Sequence, residues 1–132
     1  MSSFYHFAYT SLLNDAAGPE CITSIIHTAR SRNRQLAVTG MLVFDGQSFF
    51  QYLEGPSENV LQLVASIRND GRHRNMVVVS EGVVDGVRNF PNWSMAYALT
   101  DDEHALGRVN GLCGAALVGA LEQLIPELDI EP

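Results

Sequence analysis

The chain has 132 residues, 46% of them hydrophobic, which is the size of one domain with one core. Eight Lys plus Arg against fifteen Asp plus Glu leave a net charge of −7; this speaks against nucleic-acid binding, where cations must replace counterions at phosphates. No run of about 18 apolar residues occurs, so no membrane span is expected, and Met1–His6 lacks the basic region and apolar core of a secretory signal, so a cytoplasmic protein is expected.

Phe4 to Thr10 reads as a first strand, with Tyr5, Phe7 and Tyr9 on one face because strand side chains alternate. Asn14 to Pro19 reads as a loop. A helix is expected from about Glu20 to Asn33, with Ile22, Ile26, Ala29 and Asn33 along one stripe, so that Asn33 is the polar end of an apolar face. Arg30, Arg32 and Arg34 suit the helix dipole and read as a solvated helix end. Strands over Ala37 to Phe44 and Gln47 to Leu53 flank Asp45-Gly46, the signal of a two-residue hairpin turn. Gly55-Pro56-Ser57 opens a second helix to about Asp70; Val60, Leu63, Val64 and Ile67 form its apolar stripe, and Gly71 is placed to stop it.

Met76 to Val84 reads as a fourth strand and Trp93 to Tyr97 as a fifth, on which Trp93, Met95 and Tyr97 share a face. The order β-α-β-β-α-β-β predicts an α+β, ferredoxin-like fold: a five-stranded mixed sheet with two helices on one face. Thr100 to Glu103 matches a capping box. A last helix, about Gly111 to Ile125, carries Leu117, Leu121 and Leu124 on one side and ends at Pro126. The expected division is a core over residues 1–98 and a C-terminal helical extension of the same domain over 99–132, packed on the other face of the sheet or against a partner. Cys21 and Cys113 form no metal cluster or disulfide framework and are expected to be small buried thiols in a reducing compartment.

Gln51 is the residue that needs explaining. In Phe49-Phe50-Gln51-Tyr52-Leu53 it shares a face with Phe49 and Leu53, while Phe50, Tyr52 and Glu54 share the other. A primary amide in the middle of a core face needs partners, since an unsatisfied buried group costs about 1–3 kcal/mol. Tyr9, Asn33 and Gln51 come from separate elements and point into one layer. Taken singly, each has an ordinary reading: a core aromatic with its hydroxyl at the rim, a helix-end amide on local backbone, an amide bonded to Tyr9. Trp93 and Met95 read as packing, and Arg72 with His73 as a solvated turn.

Six blocks carry a resemblance: Ala8-Tyr9-Thr10-Ser11, Ala29 to Asn33, Val38 to Leu42, Phe50 to Gly55, Ile67 to His73, and Phe90 to Met95. In this order and spacing they resemble the BLUF family, sensors of blue light that use flavin, over about residues 4 to 98. The resemblance implies a non-covalent FAD, with FMN or riboflavin as substitutes, seated between the two helices. It implies Tyr9 as light-driven electron and proton donor and Gln51 as the amide switch. Asn33 is then the residue holding the ring edge, and Arg72, with Asp70 and His73, lies near the opposite carbonyl. Trp93 and Met95 correspond to the pair whose placement reports the light state. Arg32 stands where relatives often have Asn or His beside the ring, and Ala37 replaces a common glycine.

Two other readings stay open at this point. One is a small enzyme on the same fold, although no Gly-rich phosphate loop, nucleophile–base motif or metal spacing is present and His6, His27, His73 and His104 are scattered. The other is an interaction module with weak or lost flavin photochemistry. The expectation is a sensor, not a turnover enzyme, with no metal. Its output is expected to pass to another chain, a homo-oligomer partner or a separate effector, and the side of Leu117, Leu121 and Leu124 is a candidate surface.

Overall fold

The computed structural model describes residues 4–14, 21–71, 73–84, 88–91, 93–100, 106–109, 111–128 and 130–131. Its strands are β1 (Phe4–Leu13), β2 (Thr39–Phe44), β3 (Ser48–Pro56), β4 (His73–Val84), β5 (Ala96–Leu99) and β6 (Ile130–Glu131); its α-helices are α1 (Cys21–Gln35), α2 (Ser57–Arg68) and α3 (Gly114–Leu124). The strands form one sheet in the order β4-β1-β3-β2-β5-β6. All neighbours are antiparallel except β2 and β5, which run parallel, so the sheet is mixed as expected. The two-residue β6 adds a short sixth strand to the five read from the sequence.

Alternation along the strands builds two cores. On one face Phe7, Tyr9, Leu42, Phe44, Phe49 and Leu53 pack against Ile22, Ile25 and Ala29 of α1 and Val60, Leu63, Val64 and Ile67 of α2. On the other, Ala8, Met41, Val43, Phe50 and Tyr52 pack against Leu117, Leu121 and Leu124 of α3. The leucine side of α3 is therefore internal and offers no partner surface. It is occupied covering the second sheet face, which would otherwise leave Phe50 and Tyr52 in water.

Several elements differ from their sequence reading. The α1 stripe runs through Ile22, Ile25, Ala29 and Asn33, with Ile26 only partly buried. The hairpin loop holds Asp45, Gly46 and Gln47 between β2 and β3. Asp45 closes it: its Oδ1 accepts from the N–H groups of Gln47 and Ser48 at 3.0 and 2.7 Å. Cys113 is exposed, because it stands at the N-cap of α3, while Cys21 is half-buried. The capping-box residues 101–103, residues 15–19 of the expected loop, and Arg72 lie outside the described residues.

Two backbone features fix the turn from α1 into β2. Gly40 has no room for a side chain: a Cβ there meets the Tyr52 carbonyl oxygen at 1.8 Å. Ala37 takes φ +55°, the left-handed region that costs a residue with a Cβ about 1–2 kcal/mol.

Candidate functional site

Register places the central pair. Tyr9 on β1 lies opposite Gln51 on β3, and Gln51 lies opposite Leu42 on β2. Paired residues share a face, so Tyr9, Gln51 and Leu42 form a row beneath the two helices. The β1–β4 pairing shifts register beside Tyr9 and again between Thr10 and Leu12. Such shifts are common next to functional sites because they re-aim side chains. Here they accompany the approach of His73, at the start of β4, whose Nδ1 is 2.9 Å from Ser11 Oγ and whose ring meets Tyr9 edge-on at 6.3 Å.

Within this row the Tyr9 hydroxyl donates a hydrogen bond to Gln51 Oε1. Gln51 Nε2 donates to Met95 Sδ at 3.7 Å. Gln51 is only 5% exposed. Burial pushes the Tyr9 phenol well above its usual pKa; the Asp70 charge adds to the rise and Arg32 opposes it. The phenol is thus protonated throughout the physiological range and acts as donor toward the amide.

Ile25, Thr28, Ala29 and Arg32 of α1, Leu42, Gln51, and Ile67, Asp70 and His73 at the far wall line one cleft between the helices. Four residues singled out in the sequence, Arg32, Gln51, Asp70 and His73, therefore meet in one place. Asn33 is fully buried beside them. Its Nδ2 donates to the Ser94 carbonyl at 2.7 Å, whereas its Oδ1 finds no partner. A buried acceptor left unmet is costly, and a ligand N–H is one way to satisfy it.

Trp93 and Met95 do not share a face. The fifth strand begins at Ala96, so both precede it and the alternation read from 93–97 does not apply. Met95 is buried in the helix-side core, whereas Trp93 packs on the opposite core, its ring stacked on Phe90 with centroids 5.9 Å apart. The reason lies in tertiary hydrogen bonds to the 93–95 backbone, which no local pattern encodes. The carbonyl of Trp93 accepts from Gly40 N–H at 2.8 Å, that of Ser94 from Asn33, and that of Met95 from Arg30 Nε at 3.0 Å.

Ser94, which the sequence reading passed over, and Arg30, which it took for a solvated helix-end cation, are thus parts of the site. Arg30 lies three residues before Asn33, hence on the same side of α1, and that spacing was the available signal. Buried Glu54 was likewise passed over: it accepts from Phe90 N–H at 2.5 Å on the other face, which α3 and the segment after β4 cover. A wider cavity, about 430 Å³, lies on that face, between α3 and the β1–β4 end of the sheet. Its polar floor is already bonded within the protein, His6 to Ser80 and Tyr52 to Glu54, so it presents little unmet chemistry.

The donor set in the interhelical cleft fits a flavin. It offers an amide at Gln51 that both donates and accepts, a cation at Arg32, and apolar walls from Ile25, Leu42 and Ile67 for a flat ring, while Asn33, next to Arg32 in the chain, carries the unmet amide oxygen. The open space there is about 20 Å³, room for roughly one water. Seating a ring therefore requires α1 and α2 side chains to part.

A family model described as BLUF, sensors of blue-light using FAD, matches residues 4–96. Similar proteins include the blue light- and temperature-regulated antirepressor BluF of Escherichia coli (strain K12), 42% identical over 69 residues, which are 52% of this chain and 17% of that protein. Another is photoactivated adenylate cyclase subunit alpha of Euglena gracilis, 36% identical over 76 residues, 58% of this chain and 7% of that protein. The match thus takes in only a small part of each of these longer relatives. Among solved structures, BlrB, a BLUF protein in its dark state, superposes with a TM-score of 0.80 at 28% identity, covering 96% of this chain and 98% of that one. The photo-activated state of BlsA gives 0.75 at 25% identity, covering 95% and 94%.

Proposed function

The chain belongs to the BLUF family, the sensors of blue light using FAD, and from that premise we propose that it is a blue-light photoreceptor in which Tyr9 and Gln51 carry the photochemistry. The observation that supports this most is the buried series Tyr9 hydroxyl, Gln51 amide, Met95 sulfur, whose middle member Gln51 lines the interhelical cleft with Arg32, Asp70 and His73. Arg32, Asn33, Gln51, Asp70 and His73 are assigned to hold the flavin, with Arg72 beside them on the strength of its motif. FAD is the assigned form.

When bound, the flavin supplies a strong oxidant on absorbing blue light. Tyr9 would be the residue to give that oxidant an electron, and its phenolic proton would pass along the existing bond to Gln51 Oε1. Return of both to Tyr9 would leave no residue consumed. What persists is a rearranged Gln51 amide. If the amide turns about its last bond, Nε2 faces the Tyr9 oxygen and Oε1 faces Met95 Sδ. A thioether only accepts, so acceptor meets acceptor and Met95 loses its reason to stay. The signal leaves through Met95 and the 93–95 segment. It passes to a partner, either a second copy or a separate effector; two longer relatives carry an antirepressor and a cyclase in their names. The protein is a sensor rather than a turnover enzyme.

The test is an absorption spectrum of the flavin-loaded protein before and after blue light, with Gln51→Leu alongside. The wild type is expected to show a small red shift that decays in the dark, and Gln51→Leu to bind flavin without the shift. A colourless or light-insensitive wild type, or a normal shift in Gln51→Leu, overturns the assignment.

A further inference from the structure

Three successive carbonyls before β5 are each gripped by a group outside that strand: Trp93 by the Gly40 N–H, Ser94 by the Asn33 amide, Met95 by the Arg30 guanidinium. Met95 is held at both ends. Its carbonyl accepts from Arg30 Nε at 3.0 Å, and its sulfur accepts from Gln51 Nε2 at 3.7 Å. The sulfur bond is long and weak, whereas the carbonyl bond has a cationic donor, roughly twice as strong as a neutral one. Position at this residue is therefore set mainly by the arginine. Arg30 is half-buried and is not among the residues lining the interhelical cleft. It reaches across from α1 to the outgoing segment, where its Nε bonds the Met95 carbonyl.

We propose that Arg30 is a positioning residue: it anchors the Met95 backbone so that the sulfur stays within reach of Gln51, and thereby sets how quickly the light-induced arrangement relaxes. This rests on the photoreceptor reading above. After the amide turns, Met95 Sδ faces an acceptor and is displaced. Return requires the sulfur to be waiting close by when the amide turns back. With its carbonyl tethered, Met95 moves only as a side chain, and return is fast. With the tether gone, the backbone at Met95 drifts as well, and return must wait for it.

The experiment compares the flavin-loaded wild type, Arg30→Met and Arg30→Lys. Met keeps the length and apolar stem of arginine but removes the donor; Lys restores a cationic donor. Arg30→Met is expected to bind flavin and show the red shift, but to recover in the dark about tenfold more slowly, the order expected for losing one hydrogen bond from a charged group. Arg30→Lys is expected to recover within about threefold of wild type. Trp93 is the only tryptophan and lies in the gripped segment, so its emission in the dark should move to longer wavelength in Arg30→Met and stay put in Arg30→Lys. Wild-type recovery and emission in Arg30→Met overturn the proposal. So does an Arg30→Lys as slow as Arg30→Met, which marks a packing role only. Should Arg30→Met fail to fold, Arg30→Gln, a neutral donor of shorter reach, is read against the same limits. If the wild type itself shows no light response, the photoreceptor reading falls, and the tether is still judged by Trp93 emission in the dark: unchanged emission in Arg30→Met sinks it, a red shift upholds it.

Discussion

Ala37 sits where a glycine costs least. Its φ of +55° is strained for any residue with a Cβ, and it is kept there by neighbours on both sides: Val38 N–H donates to Asn33 carbonyl at 2.8 Å, and Arg88 Nη2 donates to the Ala37 carbonyl at 2.6 Å. The turn is what delivers Asn33 to the site at the end of α1. Ala37→Gly is expected to raise stability by about 0.5 kcal/mol, the relief of strain less the extra chain entropy of glycine, seen as a rise of about 2 °C in Tm. At this scale the sequence spoke clearly about Gln51, because period-two alternation put an amide among Phe49 and Leu53 and the structure buries it there. It misread Arg30 as part of a solvated helix end. A cation at the end of a helix is normally solvated, and only the fold brings the Met95 carbonyl within 3.0 Å of it.

Among elements, the β2–β3 contact is the tightest constraint. Gly40 lets the two strands close so far that its own Cβ position lies 1.8 Å from the Tyr52 carbonyl oxygen, and its N–H is what holds the Trp93 carbonyl. Gly40→Ala must therefore push β2 off β3 and unseat the 93–95 segment together. The expected outcome is a loss of about 3 kcal/mol or more, measured as the urea midpoint, accompanied by poor flavin retention; a stable yellow Gly40→Ala protein would contradict the geometry. Helices were legible from their stripes: Val60, Leu63, Val64 and Ile67 on α2, and Leu117, Leu121 and Leu124 on α3, are the residues that the structure buries. The start of the fifth strand was not legible. Trp93 to Tyr97 has strand composition, yet Trp93, Ser94 and Met95 spend their carbonyls on Gly40, Asn33 and Arg30, and pairing with β2 begins only at Ala96. Long-range hydrogen bonds override local propensity here, which is why Trp93 and Met95 end on opposite sides.

For the molecule as a whole, two cores share one sheet, and only the helix-side one was anticipated to hold polar groups. The second holds His6, Tyr52, Glu54 and Ser80. His6 Nε2 lies 2.7 Å from Ser80 Oγ and its ring stacks on Tyr52. Burial lowers the His6 pKa below 6.5; a backbone bond at Gly82 and the charges of Glu54 and Glu81 oppose this without reversing it. The unfolded chain therefore takes up that proton first. The stability this histidine contributes is complete above its unfolded pKa and is lost as pH falls through the folded value. The urea midpoint is expected to fall between about pH 7.5 and about pH 5.5, and His6→Gln should flatten that dependence; an equal slope in the variant would assign the effect elsewhere.

The adjacency of Gln51 and Tyr52 has a mechanical corollary. One peptide link separates an amide facing the helices from a phenol whose ring meets His6 on one side and Phe90 on the other. β3 is thus a partition with a lever mounted through it: a few degrees of roll imposed above the wall tilt what hangs below, with no need for a wire of intermediates around the rim. The tail helix α3, whose leucines lie against that underside, is the first element to receive the tilt at Tyr52.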